Sequence, residues 1–244
     1  KAQVSWQAQD QRMTEHTVRS FSADLEELSV DLARMGGLAE DMLSDAIQAI
    51  ATRDSALADT VVARDPQIDA LQVEAEKKIL RLLALRQPLA RDLRQTISAL
   101  KIAAELERIG DLAKNIAKRA KVLDSIEPTA ALKGVARMGR LVSVQLKRVL
   151  DAYSALETEA ANKVWSRDEE VDEHYQSLFR EVVTYMIEDP RTISPALDLI
   201  WVAKAVERIG DHAKNIAEQV IYIVKGTDVR HTSFADIERE IGTD

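Results

Sequence analysis

The stretch ERIGDLAKNIA at residues 107–117 returns as ERIGDHAKNIA at residues 207–217, identical at ten of eleven positions across an offset of 100. Hydrophobic patterning alone would keep only the apolar character of a repeat, yet Glu, Arg, Asp, Lys and Asn recur in register. Turned at about 100° per residue, Ile102, Leu106, Ile109, Ala113, Ile116 and Ala120 fall on a stripe about 80° wide, the core face of a helix. Glu107, Asp111 and Asn115, spaced four apart, gather on the other side of that helix. Glu207, Asp211 and Asn215 stand the same way against Val202, Val206, Ile209, Ala213 and Ile216. The motif thus marks two long helices in a duplicated chain.

Upstream of the first copy, residues 21–50 carry Leu25, Leu28, Leu32, Met35, Leu38, Met42, Ala46 and Ile50 at helical spacing, with Gly36 and Gly37 a candidate bend. Asp54 and Ser55 supply a stop and a fresh N-cap, and a short helix is predicted over 56–63. Pro66, suited to a first helical position, opens the next helix, which runs to Arg86 with Ile68, Leu71, Ala75, Ile79 and Leu82 on one face. Pro88 breaks it, and a helix over 89–123 carries the first motif.

After Pro128 the order repeats, with helices over 132–156, 159–165, 169–186 and 192–224. A short turn is expected in the tail, around 234–241. Long helices joined by short links fold as bundles. The expected architecture is therefore all-α: two tandem, pseudo-symmetric three-helix bundles over 16–125 and 126–228, followed by a tail at 229–244. Residues 1–12 lack an apolar period and Met13 reads as a natural start, so 1–15 are read as a leader outside the fold.

Composition narrows the function. Hydrophobic residues make up 46% and charged residues 30%, with only 8 Gly and 5 Pro, a balance that suits a helical protein. The absence of Cys excludes disulfides, iron–sulfur clusters and thiolate zinc sites, and fits a reducing compartment. No apolar run approaches the roughly 20 residues that cross a bilayer, so no direct membrane insertion is expected and the chain is read as cytoplasmic. A net charge of −8 argues against nucleic acid as a partner. No Glu-x-x-His, Gly-rich phosphate loop, nucleophile elbow or His-Glu-x-x-His is present, so catalysis has little support.

A second set of acids, Asp65 and Asp69, opens the helix before the motif, and an offset of 103 places Asp168 and Asp172 opposite them. If the two helices of each half are neighbours, four carboxylates converge in each, a hard-oxygen cluster suited to cations such as Mg²⁺, Mn²⁺, Ca²⁺ or iron. The plainer reading is a solvated face with Asp111 paired to Arg108 or Lys114 three residues away. Repetition of the same polar residues in both halves favours a ligand site. Gly110 and Gly210, each costing a helix interior about 1 kcal/mol relative to Ala, mark a close approach by a neighbouring backbone, or by a bound ion or partner. Arg108 and Arg208 are read as salt-bridge partners, with orientation of the carboxylates or binding of an anion as the alternatives. His174 and His212 follow the acids closely but have Leu71 and Leu112 opposite them, and are read as incidental.

Six stretches carry a family resemblance: MGGLAEDMLSDAI at 35–47, RQPLARDLR at 86–94, the two ERIGD motifs, YMIEDPRTI at 185–193 and YIVKGTDVRHTSF at 222–234. Over 28–234 the chain resembles the PhoU family, accessory regulators of the phosphate-specific ABC transporter. The resemblance implies metal sites on the bundle surfaces, with Glu107, Asp111, Glu207 and Asp211 as ligands and Asp65, Asp69, Asp168 and Asp172 as facing partners. The cation is left open among Mg, Mn, Zn and Fe.

It further implies a non-enzymatic, homodimeric protein, peripheral to the inner membrane. Such a protein represses the phosphate-starvation response by coupling the transporter's ATPase subunit to a sensor histidine kinase. Asp92 and Arg94 have Thr192 and Ser194 opposite them at the 100-residue offset, and are expected to contact a partner. The alternative is a multinuclear iron or manganese metalloenzyme on a helical-bundle scaffold.

Overall fold

The computed structural model describes residues 2–123, 130–166 and 168–229, with side chains from residue 21 onward and excluding that of Asp168. Among these residues there are seven α-helices and no strand: α1 (Ala2–Thr52), α2 (Ser55–Arg86), α3 (Ala90–Leu123), α4 (Ala130–Ala155), α5 (Thr158–Trp165), α6 (Asp168–Glu188) and α7 (Ile193–Lys225). A 3₁₀ turn, Pro190–Thr192, leads into α7. The tail turn expected around 234–241 lies outside the described residues.

Two boundaries differ from the sequence expectation. Helix α1 runs through the segment read as a leader, since its backbone is helical from Ala2. The short helix over 56–63 and its successor are one helix, α2, with Pro66 inside it. An interior proline removes a backbone hydrogen bond and crowds the carbonyl four residues back, at a cost of about 3 kcal/mol. Val61 and Ile68, seven residues apart and fully buried, lie on one stripe that stays in phase only if the helix continues. Tertiary packing overrides the local signal here. In the second half the corresponding interruption is real, and Ser166 caps α5.

Helices α1, α2 and α3 pack mutually, as do α4, α6 and α7 with α5 alongside, while α3–α7 and α1–α4 contacts join the two bundles side by side. The repeat extends to fine geometry. At an offset of 103, Ile68, Ala75 and Ile79 of α2 map onto Val171, Leu178 and Val182 of α6, all buried. Arg53 and Leu156, related by the same offset, both take left-handed backbone at the end of their helices, with φ of 58° and 53°. This conformation costs a side-chain-bearing residue about 1 kcal/mol. The following amides of Asp54 and Glu157 each donate 3.0 Å bonds, to the carbonyls of Ala49 and Ala152.

The same symmetry relates the inter-bundle contacts. Ser98 Oγ donates to Gln219 Oε1 at 3.3 Å, and the 100-residue offset converts that pair into Asp198 and Arg119, which form a 3.4 Å ion pair further along α3 and α7. Between α1 and α4, a Cβ on Gly36 would stand 2.6 Å from Leu150 Cδ2, and one on Gly139 would stand 2.4 Å from Ile47 Cδ1. Gly36 is thus a close-approach position, while its neighbour Gly37, the other half of the candidate bend, faces open space. Among the described residues no helix is long and apolar enough to cross a membrane.

Candidate carboxylate faces

Packing of α2 against α3 gathers the first set of acids. Gly110 sets the spacing, because a Cβ there would lie 2.8 Å from Ile68 Cδ1. The close approach expected at that glycine is made by an α2 side chain and not by backbone. Asp69 on α2, one turn after Asp65, then comes within electrostatic reach of Glu107 and Asp111 on α3. Lys114 extends its ammonium among them, 2.8 Å from Asp65 Oδ2, and also bonds Asp111 Oδ1. Burial opposes the charge of Lys114, but its bonds to Asp111 and Asp65 hold it protonated well above the ordinary lysine value. Asp65 is 13% exposed, and its Oδ1 is buried without a hydrogen-bond partner.

The neighbouring acids are held in the opposite sense. Burial, then Asp65, pushes the Asp69 carboxyl up, with Lys114 opposing and Asp111 adding a smaller push. Burial likewise pushes Glu107 up, followed by Asp111 and Asp69, while Arg108 and Lys114 oppose. The four carboxylates thus share one field, with a lysine inside it. They do not close into a ligand shell: among the described residues no three Asp, Glu or His side chains are placed to hold a metal ion.

In the second half, Glu207 lies largely buried on α7 with 11% of its side chain exposed, and Lys204 Nζ bonds its Oε1 at 2.6 Å. Glu207 Oε2 is buried without a partner. Burial opposes the Lys204 charge, but Glu207, with Tyr175 and Asp211 behind it, pushes its pKa up. The first half has Ala104 where Lys204 stands, so this cation has no twin. Asp211 is exposed and Asp172 half-buried, while the Asp168 side chain lies outside the described residues.

His212, read from sequence as incidental, is a structural contact between the bundles. Its Nδ1 lies 2.6 Å from Glu105 Oε2 on α3, with the two side chains 12% and 13% exposed. Asn215 Nδ2 donates to the same oxygen at 3.1 Å, and Arg108 reaches Oε1 at 3.1 Å. Burial alone would raise the Glu105 carboxyl, but the bonds from His212 and Asn215, with Arg108 adding its charge, hold it below the ordinary range. A signal for this site was available, since His212 is the one mismatch in the eleven-residue repeat. Arg94 is also intramolecular: a Cβ on Gly226, at the C-cap of α7, would stand 3.3 Å from its guanidinium carbon. Arg94 and Asp92 are both partly exposed, and the Asp92 carbonyl accepts from Thr96 Oγ1 at 2.7 Å within α3.

Two tandem three-helix bundles, each bearing the Glu-x-x-x-Asp pair of the motif on its last helix, define a class of duplicated helical proteins with acidic faces. The PhoU domain model matches residues 32–120 and 135–220, and the chain belongs to the PhoU family.

Among its relatives is a phosphate-specific transport system accessory protein PhoU homolog of Caulobacter vibrioides, 54% identical over 218 residues, covering 89% of this chain and 95% of that one. The corresponding Pseudomonas aeruginosa homolog is 42% identical over 230 residues, covering 94% and 95%. The crystal structure of PhoU from Pseudomonas aeruginosa superposes with a TM-score of 0.83 at 43% identity, over 85% of this chain and 100% of that one. The phosphate transport system regulatory protein PhoU from Streptococcus pneumoniae gives 0.80 at 29% identity, over 86% and 99%.

Proposed function

We propose that this chain is an accessory regulator of a phosphate-specific transport system, acting through protein contacts at the cytoplasmic side and without chemistry of its own. The observation that carries this reading is the similarity, over nearly the whole chain, to relatives named for that system. In its finer form, a homodimer couples the transporter's ATPase subunit to a sensor histidine kinase and holds the starvation response down when phosphate is plentiful.

The acidic faces supply the second part of the proposal. Glu107, Asp111, Asp65 and Asp69 in the first half, and Glu207, Asp211, Asp168 and Asp172 in the second, would take hard divalent or trivalent cations, with Mg, Mn and Fe favoured over Zn by all-oxygen donors. Two features support the fit: the orphaned buried oxygens Asp65 Oδ1 and Glu207 Oε2, and the carboxyls of Asp69 and Glu107, which burial and neighbouring acids push above their ordinary value. A bound cation would supply positive charge that fixes the spacing of neighbouring helices and offers open positions to a partner's oxygens. The chain's own residues present the carboxylates and hold them near the surface, outside the apolar core.

Elemental analysis of protein purified without added metal, combined with capture of the ATPase subunit and the kinase, tests both parts. Glu107→Ala with Asp111→Ala is expected to remove one cation site and leave helicity unchanged, since neither residue belongs to the core. Partner binding that survives complete demetallation would remove the cation from the mechanism. Metal-dependent turnover abolished by the same substitutions would replace the adaptor with an enzyme.

A further inference from the structure

Resting on the cation-binding reading above, we infer that Lys114 is the resident counter-ion of the first acidic face, and that a metal ion binds there by displacing its ammonium. Lys114 already makes the bridge a metal would make, joining Asp65 of α2 to Asp111 of α3. Its side chain is 19% exposed, so the ammonium sits within the cluster instead of in solvent.

An ammonium does the task incompletely. It brings one charge to four carboxylates and directs its two bonds to Asp65 Oδ2 and Asp111 Oδ1, leaving Asp65 Oδ1 without a donor. Asp69 and Glu107 feel it through space only. A divalent ion carries twice the charge and takes about six or more oxygens. Two cations cannot share the same pair of oxygens without strong repulsion. The lysine's flexible four-carbon stem lets the ammonium leave without moving α3. Lys114 therefore holds α2 and α3 together in the metal-free protein and weakens the metal that replaces it.

Glu207→Ala with Asp211→Ala in the full-length chain disables the second face and leaves the first to be read alone. Mn²⁺ titration in that background, followed calorimetrically, is compared with and without Lys114→Met, which keeps the length of the side chain and removes its charge. The expected result is affinity tighter by about tenfold or more in the methionine variant, together with a lower melting temperature in chelator. Lys114→Arg, which keeps the charge, is expected to bind no more tightly than the lysine chain and to melt near it.

Equal or weaker Mn²⁺ binding by Lys114→Met, in a chain whose lysine form binds, overturns the displacement and leaves the cation site standing. Tighter binding by Lys114→Arg overturns it as well. Absence of binding by both forms removes the cation site itself and the displacement with it.

Discussion

Gly139 and Ile47 make the closest glycine contact between α1 and α4, with a Cβ on the glycine falling 2.4, 2.6 and 2.9 Å from three Ile47 carbons. An alanine there gains about 1 kcal/mol of helix propensity, but overpacking a fixed contact costs about 1–3 kcal/mol. Gly139→Ala is expected to destabilise by about 1–2 kcal/mol in urea unfolding, with Ile47→Ala in the same chain relieving part of the loss. Gly37→Ala, which meets open space, should instead stabilise by up to about 1 kcal/mol.

The acids give opposite pH signatures. Glu107 has its folded pKa raised, chiefly by burial and then by Asp111 and Asp69, so its ionisation opposes folding. The stability it allows is complete below the ordinary carboxylate value and is lost as pH rises through the raised one. Glu107→Gln in chelator should therefore raise the melting temperature by roughly 1–2 °C at neutral pH, and the gain should vanish near pH 4. Glu105 is held below its ordinary value, so its contribution is present above that value and is lost as pH falls through the lowered one. Glu105→Gln should cost about 1–3 kcal/mol at neutral pH, and less in acid.

At the scale of elements, α2 sets periodicity against local chemistry. Pro66 reads as a helix start, yet it lies within α2, because Val61 and Ile68 share one buried stripe across it. Pro66→Ala is accordingly expected to stabilise by about 1–3 kcal/mol in urea unfolding, whereas a true break at that point would give no gain. Helices α3 and α7 were legible because their apolar period and polar motif agree. The start of α1 was not, since residues 1–12 show no apolar period to betray a helix.

The candidate site divides in the same way. Asp111 with Lys114 is a local i,i+3 pair that spacing anticipates, but the bond from Lys114 to Asp65 spans 49 residues and depends on how α2 packs on α3. Glu105 with His212 spans 107 residues and joins two bundles whose relative placement no local pattern encodes. The sequence carried only a negative sign of it, a lone mismatch inside a repeat.

In the whole molecule, buried residues of both halves form one apolar cluster, running from Leu25 of α1 to Val229 beyond α7. Each half alone would expose the α1–α4 and α3–α7 faces, and so the chain is expected to unfold in a single calorimetric transition. A fragment beginning at residue 130 should show neither cooperative melting nor native helicity as a monomer.

The reciprocal seats on α1 and α4 bear on origin as well as stability. Each half carries both a glycine socket and the large side chain that fills the other half's socket: Gly36 with Ile47, and Gly139 with Leu150. A surface that is both lock and key is what two identical chains need to close around a twofold axis. One half carrying both parts is self-complementary, so two copies close on each other through this contact, and joining them end to end makes the partnership permanent while freeing each acidic face to diverge.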